Sequence, residues 1–269
     1  MPQFKSPLIL GLLISLALGS LQADMLYELK FQNTDGQETL DNTGTVGGAA
    51  EGFFAKGTAA GAATALQGAF TQDTPNPPTN PWAYELPSSD GVHAMHLELP
   101  DSSEKLRLAA DGDEMTIALW VKRNAEPKRF GGLVGNHVTD AGVVSDEPST
   151  GWSFGFADGS TAQFQEGQLV FMQGPTFRSH PADRGVIPAG EWTHIAVVYK
   201  HDRSTDFYIN GVLIGSGAAF PAPAPNNTAE IRVGRLYYSS GPINGAIDNL
   251  QIFDTAMSED QIAEMAKDR

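Results

Sequence analysis

The chain has 269 residues, 32 Asp and Glu against 17 Lys and Arg, and no cysteine. A formal charge of −15 repels phosphate backbones, which sets nucleic acid aside as a partner. Without cysteine there is no disulfide, lipoprotein anchor, thiolate zinc site or cysteine nucleophile, so the fold must rest on its apolar core or on a metal.

Lys5 precedes an apolar run over residues 7–18, and small and polar residues follow up to Ala23. That order of charged, apolar and small residues is that of a secretory signal peptide, and the run is short for a bilayer span. Cleavage after Ala23 is expected, with an uncleaved N-terminal anchor as the alternative. Export follows from this reading, to the periplasm, the cell surface or the medium. No second apolar run of membrane length occurs, so no membrane span is expected in the mature chain. Residues 24–269 carry 16 basic against 32 acidic side chains and suit one large β sandwich or barrel.

MLYELKF, residues 25–31, alternates as a strand. The Gly/Ala-rich stretch 44–68 reads as loop with one short strand at most, and DTPNPPTNP, residues 73–81, is a proline-dense connector that cannot form ladders. Residues 44–92 are therefore expected to be irregular. From Ala94 onward strand signals recur: AMHLEL, EKLRL, MTIALWVKR, GGLVGN, GWSFGF, QLVFMQ, THIAVVYK, DFYIN, VLIG, AEIRVGR and AIDNLQIF. Met115, Ile117, Leu119 and Val121 share one face of a strand whose other face carries Ala118 and Trp120, which predicts a central strand covered on both sides. Asn210-Gly211 lies between two alternating runs and predicts a type I′ hairpin, since both residues tolerate φ > 0. Near the end, Ser258 and Gln261 form a capping box, Glu259 and Asp260 suit the helix dipole, and Ile262 and Met265 give an apolar stripe for the sandwich edge. Many short strands separated by Gly/Pro turns indicate an all-β, two-sheet antiparallel sandwich or jelly roll.

Few residues form a chemical pattern. Gly151-Trp152-Ser153-Phe154-Gly155 fits G-x-S-x-G, but the alternation of Trp152, Phe154 and Phe156 makes a continuous strand, not the strand–turn–helix that a nucleophile elbow needs. His93 and His96 form H-x-x-H without a helix to align them, and His194 is expected to pack within a sheet. Asn33-Thr34-Asp35-Gly36 matches part of an EF-hand loop without its closing Glu and reads as a turn. The E-x-D-x-E string of sandwich glycosidases is absent; Asp111, Asp113 and Glu114 read as a solvated cluster in a turn. Glu98, Asp158, Tyr199 and Arg232 are scattered strand candidates for hydrolase or lyase chemistry. Trp120 and Trp192 read as core strand residues, whereas Trp82, Tyr237 and Tyr238 fall near turns, where sugar stacking and a structural role are both open.

WTHIAVVY, the FYING hairpin, IRVGR, GAIDNLQIF and the SEDQIAEM helix follow one another in an order that resembles the laminin G-like, concanavalin A-like jelly-roll family in its bacterial branch. LYELKF with DGQETLDNTG is similar to that family's first strand and turn, and MTIALWVK to its central strand. HLELPDSSEKLRL stands where the family carries FDG-x-x-D-Y. The resemblance implies a two-sheet sandwich, often with calcium, that binds glycan or protein outside the cytoplasm. Asp248 matches the acid of the family's G-x-I-D motif, which helps hold a structural calcium; a hydrogen-bonded strand acid is the alternative, because one carboxylate does not supply six to eight oxygens. The implied function is an exported, non-catalytic binding module for carbohydrate, or else for a surface protein, with contacts from Arg178, His180 and Arg184 in one loop and Tyr237 and Tyr238 in another. A polysaccharide hydrolase or lyase on the same scaffold and an adhesive or structural envelope protein are the alternatives.

Overall fold

The computed structural model describes residues 24–34, 37–39, 42–48, 50–54, 70–75, 81–86, 95–99, 102, 105–124, 131–137, 150–157, 164–174, 177–181, 185–224, 228–234, 243 and 245–267. The expected signal peptide, residues 1–23, lies outside them. The first strands are β1 (Met25–Leu29), β2 (Gln32–Thr34), β3 (Gln37–Thr39), β4 (Glu51–Phe54), β5 (Phe70–Thr71), β6 (Ala83–Leu86), β7 (Met95–Glu98) and β8 (Met115–Arg123). Then come β9 (Gly131–Gly135), β10 (Trp152–Phe156), β11 (Leu169–Gln173), β12 (Phe177–Ser179), β13 (Thr193–Tyr199), β14 (Thr205–Ile209), β15 (Val212–Gly217), β16 (Arg232–Val233), β17 (Gly245–Phe253) and the helix α1 (Glu259–Met265).

These strands build two antiparallel sheets. The first runs β15-β14-β13-β8-β17-β6-β5, with β1 also on β17; the second runs β12-β11-β10-β9-β16-β7-β4; β2 and β3 pair separately. This is the expected sandwich with a short C-terminal helix. Between the sheets lies one apolar layer in which Met115, Ile117, Leu119 and Val121 of β8 meet Ile195 and Val197 of β13 and Ile247, Leu250 and Ile252 of β17. Facing them are Leu97, Val233, Phe154, Phe156, Leu169 and Phe171 of the second sheet. Rings bridge the layer: Trp152 stacks on Phe171 at 5.8 Å, and Phe171 meets Tyr199 of the first sheet at 5.8 Å. Each large side chain buried there contributes about 2 kcal/mol.

Several expectations are corrected. EKLRL forms no strand, because Leu106 and Leu108 both adopt positive φ, 48° and 53°, which breaks the pleat. Leu106 O accepts the indole N–H of Trp152, and Leu108 O accepts the amide of Ala224, so this segment is held by the core and not by a ladder. Among the described residues, the stretch 44–68 holds one short strand, β4, as expected, and β5 and β6 lie in the remainder of 44–92. Trp192 precedes β13 and is half-buried, its Nε1 donating to Asp73 Oδ1 at 3.0 Å. Trp82 is half-buried against the core.

The hairpin and helix are capped as expected. Asn210 (φ 50°) and Gly211 (φ 77°) make the turn between β14 and β15, and Asn210 N donates to His194 O at 2.8 Å. Ser258 and Gln261 close the capping box of α1. The helix lies on the outer face of the first sheet, not on the sandwich edge: Ile262 packs on Ala118, Ala196, Val198 and Tyr208. Small Ala118 and Ala196 make room for it, and the apolar outer positions of β8 and β13 are thereby buried.

Gly211 links the two caps. A Cβ there would stand 2.9 Å from Ala263 Cα and 3.0 Å from Ala266 Cβ of the helix, in a backbone conformation that already favours glycine. Gly211→Ala is expected to cost about 2–3 kcal/mol in urea unfolding. Gly190→Ala, at φ +81° with nothing within 4 Å, isolates the backbone strain and is expected to cost only about 1 kcal/mol.

Candidate functional site

On β7 and at the start of β16 the core takes alternate residues. Leu97, Leu99, Ile231 and Val233 point inward and are buried, which leaves Glu98 and Arg232 on the outer face of the second sheet. The two are direct cross-strand partners. Arg232 Nε donates to Glu98 Oε1 at 2.8 Å, and Nη2 stands 2.7 Å from the same oxygen. Both side chains keep 21% of their surface exposed. The pair thus sits between core and solvent, where water partly screens it.

Below the pair, Ser102 is fully buried and locks the rim of the sheet. Its Oγ accepts the Ile231 amide at 2.7 Å and lies 2.6 Å from Glu230 Oε2 and 2.9 Å from Leu99 O. The lead-in to β16 is thus clamped to the end of β7, which fixes where Arg232 stands. The register carries one row across the whole sheet: Arg178, Met172, Ser153, Gly135, Arg232, Glu98 and Glu51. At a strand spacing of about 4.8 Å, the backbones of Arg178 and Arg232 are roughly 19 Å apart.

The part of this face over β10 and β11 is closed. Phe164 packs on Ala157, Val170 and Met172 as a small satellite core. His180 stands edge-on to Phe164 at 5.2 Å, with Nδ1 3.3 Å from Gln168 Nε2 and 3.2 Å from Pro181 O. His180 therefore braces a covered corner. Ser153 is buried in the middle of strand β10, so G-x-S-x-G is no nucleophile elbow here. His137, just past β9, is buried with Nε2 2.9 Å from Gly174 O; burial pushes its pKa down, and the carbonyl partly opposes this.

Of the expected contact residues, Arg178 has its backbone in β12 and not in a loop. Arg184, Tyr237, Tyr238 and Asp158 lie outside the described residues. Tyr199 is buried in the core, its hydroxyl pushed up to about 12 by burial, and takes no part in surface chemistry. Asp111 pairs with Arg203 at 2.5 Å, Asp113 Oδ2 accepts the Ala110 amide at 2.8 Å and Glu114 Oε2 accepts the Ala256 amide at 3.2 Å. That acidic cluster holds a turn and the approach to α1.

Asp248 lies on the outer face of the first sheet in a row with Trp120 and His194. It is fully buried and accepts the Asn249 amide at 2.7 Å. Asn249 has φ 48°, and the register of β17 against β8 shifts between Asp248 and Gln251. The bulge splits the other edge of β17: Gly245, Ala246 and Ile247 pair with β6, and Leu250 to Phe253 with β1. Among the described residues no group of three or more His, Cys, Asp or Glu is gathered where an ion would sit. The Asp248 carboxylate is engaged by the Asn249 amide at the bulge.

A family model described as the concanavalin A-like lectin/glucanases superfamily, of laminin G type, matches residues 93–263. The chain belongs to this family. Among solved structures, the laminin G-like chain is similar to domain 4 of AbnA, a GH43 extracellular arabinanase from Geobacillus stearothermophilus, in complex with arabinotriose. Identity is 20%, the TM-score 0.61, and the match covers 91% of this chain and 98% of that one. It is also similar to the binding domain of Paraclostridial Mosquitocidal Protein 1, at 14% identity and TM-score 0.56, over 91% of this chain and 52% of that one. A structure of botulinum neurotoxin type C, whose cell entry depends on interaction with two ganglioside molecules, matches at 16% identity and TM-score 0.55, over 91% and 51%. These likenesses show the fold, and the chain spans about half the length of the toxin structures. No curated protein matches it.

His194, 2% exposed, stands edge-on to Trp120 at 5.5 Å, and burial pushes its pKa down to about 4. Above pH 6.5 neither folded nor unfolded chain protonates it; as pH falls, the unfolded chain takes the proton first. Stability should therefore drop between pH 6.5 and 4 by roughly 3 kcal/mol from this residue. His137, shifted in the same direction, adds to the slope. Urea unfolding across that range checks it, and His194→Asn should flatten the profile.

Proposed function

We propose that this laminin G-like chain is an exported, non-catalytic module that binds neutral glycans, with Glu98 and Arg232 at the centre of its contact surface. The partly exposed pair on the non-core face of the second sheet carries this reading. A carboxylate accepts from sugar hydroxyls and a guanidinium donates to them, so the pair offers both roles side by side. Ser102 and the paired strands hold it rigidly, which reduces the ordering cost of binding. The formal charge of −15 favours neutral over anionic glycans. The arabinotriose complex of one protein with this fold and the ganglioside-dependent cell entry of another support a carbohydrate ligand. Arg178 belongs to the same register row, and Arg184, Tyr237 and Tyr238 are proposed as further contacts, while His180 braces the covered corner at Phe164.

The test is isothermal titration of the mature chain with arabinan-derived and other neutral oligosaccharides chosen from a glycan array. Arg232→Ala and Glu98→Gln should each weaken binding at least about tenfold with little change in Tm. No bound glycan, or variants that bind like the parent, would overturn the proposal, and release of reducing ends would establish a hydrolase instead. Calcium at Asp248, which the resemblance implies, has its own readout. If the ion is structural, EDTA lowers Tm and calcium restores it; if Asp248 serves only the bulge, Asp248→Ala lowers Tm by the same amount with and without EDTA.

A further inference from the structure

Glu230 leads into β16 and shares the outer face with Arg232, because Ile231 and Val233 are buried in the core. Such neighbours on an extended run stand roughly 7 Å apart. Glu230 is partly exposed, yet its carboxylate is anchored by the fully buried Ser102, whose Oγ lies 2.6 Å from Oε2. The clamp between the strands does not require this bond. Ser102 Oγ already accepts the Ile231 amide, and Leu99 O, 2.9 Å away, is placed to take the hydroxyl proton. The fold therefore fixes a surface carboxylate beside Arg232, and Ser102 engages only one of its two oxygens.

An isolated guanidinium is a receptor for carboxylates, which it grips through two parallel N–H bonds. Arg232 is not isolated. Its Nε and Nη2 stand 2.8 and 2.7 Å from Glu98 Oε1, so one edge of the fork is already taken by an acid. Glu230 adds a second negative charge on the same face. A sugar that brings its own carboxylate has to displace Glu98 while Glu230 repels it. A sugar that brings hydroxyls donates to the two carboxylates and accepts from Arg232.

We propose that Glu230 is a specificity-determining residue of the contact surface, which accepts from a ligand hydroxyl and keeps uronic acids and other acidic sugars off Arg232. This rests on the proposed glycan-binding role, and it assigns the exclusion to one carboxylate and not to the charge of the whole chain. Discrimination needs a repulsive element against the wrong ligand as well as contacts to the right one. Glu98 is a weak repulsive element, since Arg232 offsets its charge.

The test compares the mature chain with its Glu230→Gln and Glu85→Gln variants. Glu230→Gln keeps an acceptor for the Ser102 hydroxyl and removes the charge. Glu85→Gln removes one charge from the outer face of the first sheet, where Tyr84 and Leu86 on either side point into the core. A glycan array carrying neutral arabino-, xylo- and cello-oligosaccharides beside oligogalacturonates reads all three proteins, at low and moderate salt. Glu230→Gln should raise oligogalacturonate binding relative to the best neutral glycan at least about fivefold, with unchanged Tm. Glu85→Gln should leave that ratio as it is, and salt should narrow the discrimination of the parent by screening. A parent that binds oligogalacturonate as well as neutral glycans, a ratio unmoved by Glu230→Gln, or equal effects of the two variants would each overturn the proposal and leave glycan binding intact. A parent that binds no glycan on the array would overturn the glycan-binding role and this proposal with it.

Discussion

The pairing of β8 with β13 on one side and β17 on the other is the constraint on which the rest depends. Without a disulfide, the sandwich is held by its apolar interior, and β8 is the strand through which that interior is organised. Its inward residues meet the second sheet, while Ala118 outside forms part of the seat of α1. Two-sided burial leaves β8 little tolerance in register, because a one-residue slip would exchange the inner set for the outer one. The neighbours inherit this precision: His194 and Asp248 stand in one row with Trp120 because their strands are locked to β8.

The two outer faces are used differently. On the first sheet the outside is another interior: Ile262 of the helix covers small residues, and the segment at Asp73 is tied to Trp192 and by an ion pair to Lys122. Buried histidine and aspartate there follow from that cover. On the second sheet the region over β10 and β11 is closed by Phe164, and β7 with β16 keeps a polar, partly exposed pair. The carboxyl of Glu98 is already bonded to Arg232.

Glycine and left-handed residues mark where this architecture bends. Asn210 and Gly211 turn the chain under the helix, Asn249 makes the bulge that lets β17 serve two partners, and Leu106 and Leu108 leave the pleat to bond to the Trp152 ring and to Ala224. Turn chemistry announces the first of these in the sequence. The other two are bulky or polar residues in apparently regular runs, held in place by contacts from distant strands.

The sequence by itself determined the strand alternation, the Asn-Gly hairpin, the capping box and the two-sided apolarity of β8, because each depends on neighbours within a few residues. It also placed Glu98 and Arg232 off the core face, since HLEL and EIRV alternate. That the two residues are partners was not legible. They are separated by 134 positions, and their contact depends on which strands the sheet brings together. The helix seat, the burial of Asp248, and the conversion of EKLRL from strand to anchored loop belong to the same class. All were decided by the tertiary structure, because burial and cross-strand pairing are properties of what the packed sheets lay against each residue.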